Sequence, residues 1–184
     1  LMPAQFQREH LNQWVDSADA FTSASEIDAA MGHGWTQQTQ GRRGVSYAMY
    51  VDLGAVHDPT VIAIGHREGE LVFIDLLQTF QGSKHEPVRL QAVEDRIVVL
   101  AREFRLTKIR IESWQGLSAV QALQRLALPV TLFTPTSKSN SEEWPVLAQL
   151  LSTRRLVLPA HARLRDELLN LVYEVGAHGV HVID

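Results

Sequence analysis

The chain has 184 residues, of which 45% are hydrophobic and 21% charged, with a formal net charge of −4 at pH 7. This is enough apolar material for one domain with a proper core, and it excludes a disordered chain and a wholly basic nucleic-acid binder, though not a local basic groove. There is no cysteine, which excludes disulfides and cysteine-based zinc sites and fits a reducing interior, and no segment reads as a membrane span or a signal peptide.

The beginning, "LMPAQFQREH", reads as a cut inside a larger protein, and the end, "GVHVID", stops in a strand-like run. Within residues 1–44, "PAQFQREHLNQW" forms a short helix with Phe6, Leu11 and Trp14 on roughly one face. "SASEIDAAMG" forms a second, with Ser23 as its cap, Glu26 three residues on and Gly32 at its end. The polar, glycine-rich "GHGWTQQTQGRRG" reads as a linker ending before Val45.

From Val45 the period becomes that of strands. "VSYAMYVDLG", "TVIAIGHR" and "LVFIDLLQTF" follow one another through short connections, the last through Gly69–Glu70, and predict an antiparallel meander. "EPVRLQAVEDRIVVLAREF" is a helix, with Pro87 in its first turn and Leu90, Val93, Ile97, Leu100, Ala101 and Phe104 at helical spacing. "TKIRIES" is a strand, "SAVQALQRL" a helix capped by Ser118, and "PVTLFTP" a strand. "SEEWPVLAQLLS" is a helix capped by Ser141, with Pro145 early in it, and "RLVLP" is a short strand. "ARLRDELLNLVYEV" is read as one helix, and "GAHGVHVID" as the turn and return strand of a hairpin.

A three-strand meander followed by alternating helices and strands predicts an α/β fold with a mixed, ribonuclease H-like sheet and helices on both faces. In that order the first strand is central, and the strand after the first long helix lies beside it, parallel. Those strands end in Asp52 and Glu112. Parallel neighbours end on one sheet edge with Cα atoms about 5 Å apart. Two carboxylates that close repel, and a hard divalent cation such as Mg²⁺ or Mn²⁺ relieves the repulsion. Two such ions would suit in-line phosphodiester hydrolysis. The competing reading of Asp52 is a turn residue before glycine. Asp58, in "HDPT", reads as a turn residue by spacing, and Asp75, mid-strand in "FIDLL", as an edge or solvent-face residue.

The ordered set resembles the nuclease domain of viral large terminases, the motors that cut and package phage DNA. "VDLGAVHDPTVIAIG" resembles that family's first motif, with an aspartate on the first strand and a second in the next turn; "IRIESWQG" resembles the second, an acid ending the fourth strand. "TPTSKSNSEEWPVLAQLLSTRRLVLPAHARLRDELLNL" resembles the segment that follows, and "PAQFQREHLNQW" the stretch leaving the ATPase domain. The resemblance covers nearly the whole chain. It implies a ribonuclease H-like, two-metal endonuclease using two Mg²⁺ or Mn²⁺ ions, with Asp52 and Glu112 as ligands and Asp58 as a supporting acid. Asp184 stands near the place of a further ligand, which is either this residue or one beyond it. The resemblance also implies a boundary between an ATPase-linked segment, 1–44, and a nuclease domain, 45–184. The partners it implies are double-stranded DNA, an ATPase domain of the same polypeptide, a portal and a small terminase subunit, in the host cytoplasm and with no membrane. No G-x-x-x-x-G-K-[ST] phosphate loop occurs in the sequence, so the motor itself is not in this stretch.

Candidates for holding the DNA backbone are Lys138, Lys84, Arg42 and Arg43, and more weakly Arg154 and Arg155, giving salt-sensitive and sequence-independent binding. His57 and His85 are weaker candidates for the site, His178 and His181 read as hairpin surface, and Trp114 and Trp144 as packing residues. Three alternatives remain open from the residues: another ribonuclease H-like nuclease such as a resolvase or transposase core, a fragment of an actin-like ATPase, and a non-catalytic module with the same fold.

Overall fold

A computed structural model describes residues 20–54, 58–112, 116–176 and 179–183. These fall into two compact units, one made of residues 31–136 with 155–160, the other of the remaining described residues.

The larger unit is built on a six-stranded sheet of order β5-β4-β1-β2-β3-β6. Its strands are β1 (Tyr47–Asp52), β2 (Thr60–Glu68), β3 (Leu71–Phe80), β4 (Lys108–Glu112), β5 (Val130–Phe133) and β6 (Leu156–Val157). β1, β2 and β3 form the expected antiparallel meander, and β4 lies parallel to β1, β5 to β4 and β6 to β3. The mixed α/β sheet anticipated from the order of elements is therefore present, with β1 inside the sheet.

Strand alternation decides which face is buried. Tyr47, Met49 and Val51 of β1, Ile62 and Ile64 of β2, and Ile109 and Ile111 of β4 form one face. Against it pack α2 (Leu90–Phe104), through Val93, Ile97, Leu100 and Phe104, and α3 (Leu117–Arg125), through Val120 and Leu123. Each such side chain taken from water contributes roughly 1.5–3 kcal/mol against the entropy of ordering it. Ala48, Tyr50 and Asp52 point to the other, more open face.

The structure differs from the sequence reading at three places in this unit. α2 begins at Leu90 after Arg89, so Pro87 precedes the helix and does not occupy its first turn. α3 is preceded by Gly116 with no side-chain cap, and Ser118 already lies in the helix. Residues 33–44, expected as a linker, run along the sheet unit: Trp35 Nε1 donates to the Ile74 carbonyl at 3.0 Å, and Gly41 N to that of Glu103 at 3.0 Å.

The smaller unit contains α1 (Ala24–Met31, whose last residue joins the sheet unit), α4 (Ser137–Ser152), α5 (Ala162–Asn170) and the antiparallel pair β7 (Val172–Gly176) and β8 (Gly179–Ile183). α1 has the expected capping box: Ser23 Oγ accepts from Glu26 N at 3.3 Å, and Glu26 Oε2 accepts from Ser23 N at 2.9 Å. α4 starts a turn earlier than predicted. Ser141 is inside it, donating to the Lys138 carbonyl at 2.8 Å, and Pro145 is an interior residue that removes the bond its nitrogen would make to the Ser141 carbonyl. The predicted helix through Val175 ends at Asn170. Leu171 is extended (φ −64°, ψ 131°), its carbonyl accepts from Phe21 N at 3.0 Å, and Val172 opens β7. The Phe21 ring packs on Trp144 (5.5 Å between centroids) and Tyr173 (5.4 Å), so Trp144 serves packing, as its composition-based reading held.

Candidate active site

Asp52 is the last residue of β1 and Glu112 the last of β4, and the two are direct Cα partners in the parallel register. Their alternation places both on the open face, since Val51 and Ile111 beside them are fully buried on the other. Beyond β1 the Asp58 backbone approaches Gly54 closely. A Cβ there would stand 2.1 Å from the Asp58 carbonyl oxygen, so only glycine lets the loop close this tightly. Thr60 Oγ1 fastens the closure by donating to the Gly54 carbonyl at 2.7 Å. The result carries Asp58 back within electrostatic reach of Asp52. The protein packed around Asp52, then the negative charges of Glu112 and Asp58, push the Asp52 carboxyl above the ordinary carboxylate value.

The donors are carboxylate oxygens, the chemistry that suits a hard divalent cation, and the like charges around Asp52 are what such a cation would offset. Among the described residues no three His, Cys, Asp or Glu side chains converge to enclose an ion. Asp184, His57, Trp114 and His178 lie outside the described residues, as does the side chain of His181.

Tyr50 and Arg110 also belong to this edge, and the sequence reading passed over both. Each lies two residues before an acid on the same strand and face, so strand alternation alone could have found them. Tyr50 donates from its hydroxyl to Glu112 Oε2. The Arg110 guanidinium lies 5.0 Å from the centre of the Phe133 ring, and Phe133 is the Cα partner of Glu112 on β5.

The basic candidates are dispersed. Lys84 and His85 are exposed in the segment after β3, whose Phe80 pairs with Thr60 at the acid edge of the sheet. That segment borders a cavity of about 480 Å³ lined by Phe80, Ser83, Val88, Arg89 and Ala92 among others. Arg42 is at the opposite end: its backbone N–H donates to the Tyr47 hydroxyl at 3.0 Å, its Nη2 lies 2.5 Å from Glu68 Oε1, and the same nitrogen lies 2.8 Å from His66 Nε2. Arg43 is exposed beside it. Arg155 donates to the Glu70 carbonyl at 3.0 Å, and Arg154 is exposed. In the smaller unit Lys138 lies in the first turn of α4, not in a loop, with its side chain 85% exposed and its ammonium 4.0 Å from Glu142.

Asp75, expected on the solvent face, is buried. β3 carries an extra residue there: Ile64 pairs with Leu76 but Gly65 with Ile74, leaving Asp75 in a bulge that turns it inward. A Cβ on Gly65 would meet the Phe73 carbonyl at 2.6 Å, so the partner strand is glycine where the bulge presses on it. Asp75 Oδ2 is 2.6 Å from His66 Nδ1. Arginine has only donors, so His66 Nε2 accepts from Arg42 and Nδ1 carries the proton given to Asp75.

Neither a family model nor a curated protein matches the sequence. Solved structures do match. The large terminase nuclease from thermophilic phage G20c with bound magnesium superimposes with a TM-score of 0.71 at 16% identity, over 91% of this chain and 87% of that one. The Thermus phage P74-26 large terminase nuclease domain gives 0.67 at 17%, over 89% and 85%. The fold is that of the phage large-terminase nucleases. The HK97 bacteriophage large terminase gives 0.71 at 18%, with 97% of this chain matched to 42% of that one, so the terminase-nuclease fold here corresponds to part of a longer chain there. The G20c terminase nuclease was also solved with bound cobalt and with bound zinc.

Proposed function

We propose that this chain is the nuclease domain of a phage DNA-packaging terminase, a metal-dependent endonuclease that cuts concatemeric double-stranded DNA. The observation that carries the reading is the in-register meeting of Asp52 and Glu112 at the ends of β1 and β4, within a fold shared with phage terminase nucleases. Asp52 and Glu112 would hold Mg²⁺ or Mn²⁺, with Asp184 or a residue following it as a further ligand and Asp58 as a supporting acid. A bound pair of such ions would supply activation of water and relief of charge on the leaving 3′ oxygen.

The chain's own part is to bring two carboxylates to one point and to hold the DNA backbone across the open sheet face. Lys84, in the segment after β3, would meet a phosphate, and Lys138, Arg42 and Arg43 would also contact the backbone. Such contacts read charge and not sequence, so binding weakens steeply with salt. Residues 1–44 would lead from an ATPase domain of the same polypeptide into the nuclease at 45–184. The portal, the small terminase subunit and the host cytoplasm complete the setting. Among the described residues no helix is long and apolar enough to cross a membrane.

The test is plasmid cleavage with Mg²⁺ or Mn²⁺. Wild-type chain nicks supercoiled plasmid in a metal-dependent and salt-sensitive way, whereas Asp52→Ala and Glu112→Ala do not. Equal cleavage by all three removes the site.

A further inference from the structure

We infer that Tyr50 is a positioning residue for the Glu112 carboxylate, holding one of its oxygens so that the other faces the ion; this rests on the reading of Asp52 and Glu112 as ligands. Glu112 ends a strand on the open sheet face directly beside Asp52. With no cation between them, repulsion between the two carboxylates favours turning the longer, more mobile glutamate side chain away. A restraint that leaves its charge intact must come from a neutral donor, because a lysine or arginine there would compete with the cation. The Tyr50 hydroxyl, donating to Glu112 Oε2, is such a group. A phenol hydroxyl is a neutral donor, so it holds the carboxylate without adding charge.

The hydroxyl is itself held. Tyr50 sits two residues before Asp52 on the same face of β1 and pairs across the ladder with Arg110. Its ring meets Phe133 edge to face, with centroids 6.1 Å apart and planes at 67°, and the Arg110 guanidinium lies over that same Phe133 ring. Tyrosine, phenylalanine and arginine thus form one packed layer across three adjacent strands, and the layer delivers a single hydrogen bond to the second acid. Partners of this kind behind metal ligands fix ligand orientation, and their loss typically costs 10–100-fold in metal affinity.

Tyr50→Phe keeps the ring and its packing and deletes only the donor. Mn²⁺ binding to the metal-free full chain, followed by the electron paramagnetic resonance of free Mn²⁺, is compared among wild type, Tyr50→Phe, Glu112→Ala and Asp52→Ala. Expected is a fall in affinity of about tenfold for Tyr50→Phe, an unchanged melting temperature without metal, and a nicking rate at saturating Mn²⁺ that falls less than the affinity does. Wild-type affinity in Tyr50→Phe, with binding lost in Glu112→Ala, overturns the role of Tyr50 and leaves the ligand site standing. Weaker binding that accompanies a lower metal-free melting temperature marks a general structural role and also overturns it. Binding that is absent in wild type, or indifferent to both acid substitutions, overturns the ligand site and this inference together.

Discussion

The two ends of the sheet hold carboxylates in opposite company, Asp52 on β1 and Asp75 on β3. At one end Asp52 stands beside Glu112 and within reach of Asp58, like charges gathered at an open edge. At the other, beside Tyr47, Asp75 is held in a bulge against His66, with His66 stacked on Phe73 at 4.8 Å and bonded onward to Arg42. Both carboxyls are pushed above the ordinary value, and burial is the largest cause in each case. The neighbours then differ: Glu112 and Asp58 raise Asp52 further, whereas at Asp75 the His66 hydrogen bond and the Arg42 charge pull the carboxyl back while Glu68 raises it. Asp75 Oδ2 has its partner in His66, while Oδ1 is buried with no hydrogen-bond partner among the described residues. The two charges that shift Asp52 are both carboxylates, a repulsion that a bound cation would offset.

The sharpest way to break this comparison is to exchange activity for stability. Asp52→Ala is expected to lower metal-dependent nicking by at least about 100-fold, more than the loss of an outer partner costs, while leaving the metal-free protein at least as stable as wild type. A fall in urea stability with nicking retained would assign Asp52 to the fold. Next in size is the response to metal: at about 100 times its dissociation constant, Mn²⁺ should stabilise wild type by about 2.7 kcal/mol and leave Asp52→Ala unmoved, as read by thermal melting. Gly54→Ala forces a methyl against the Asp58 backbone. It should cost about 1–3 kcal/mol and reduce nicking as well, because the loop that carries Asp58 must open. At the far end, Asp75→Ala leaves the His66 Nδ1–H without its acceptor, for about 1–3 kcal/mol, measured by urea unfolding. Its nicking at a temperature where it remains folded should match wild type.

The smallest effect concerns pH. With its carboxyl raised in the folded state, Asp75 is protonated in the folded chain at pH values where the unfolded chain has already lost that proton. Its contribution to stability is therefore full below the ordinary carboxylate value and is lost as pH rises through the folded one. Asp75→Asn removes that titration, so its stability should be flatter than that of wild type as pH is raised from about 4. A steeper loss in the variant would reverse the sign argued here.

The sheet was legible because its signal is periodic. Val51, Ile62, Ile64, Ile109 and Ile111 alternate with more exposed neighbours, and the meander followed by a crossover leaves few arrangements for β4 other than beside β1. The meeting of Asp52 and Glu112 follows from that topology and needs no side-chain detail. Asp75 was misplaced because a bulge shifts the alternation by one residue, and nothing local in "FIDLL" announces it. The serine caps show how much depends on backbone geometry: Ser23 is reinforced by Glu26 and caps as expected, whereas Ser118, although Gln121 stands three residues on, and Ser141 were absorbed into helices that began earlier. The stretch "LLNLVYEV" fits either period, and Val172 opens a strand that pairs with β8 and bridges to Ala20, contacts distant in sequence.

The sheet finishes at both sides in short strands, four residues in β5 and two in β6. A long bare margin is a template on which further chains can add by backbone hydrogen bonding, and abbreviated margins offer too little ladder for that. Edge-to-edge growth into fibrils is therefore discouraged where β5 and β6 form the margins. Changes that lengthened β6 along Leu71–Phe80 would erode that protection before they touched any chemistry.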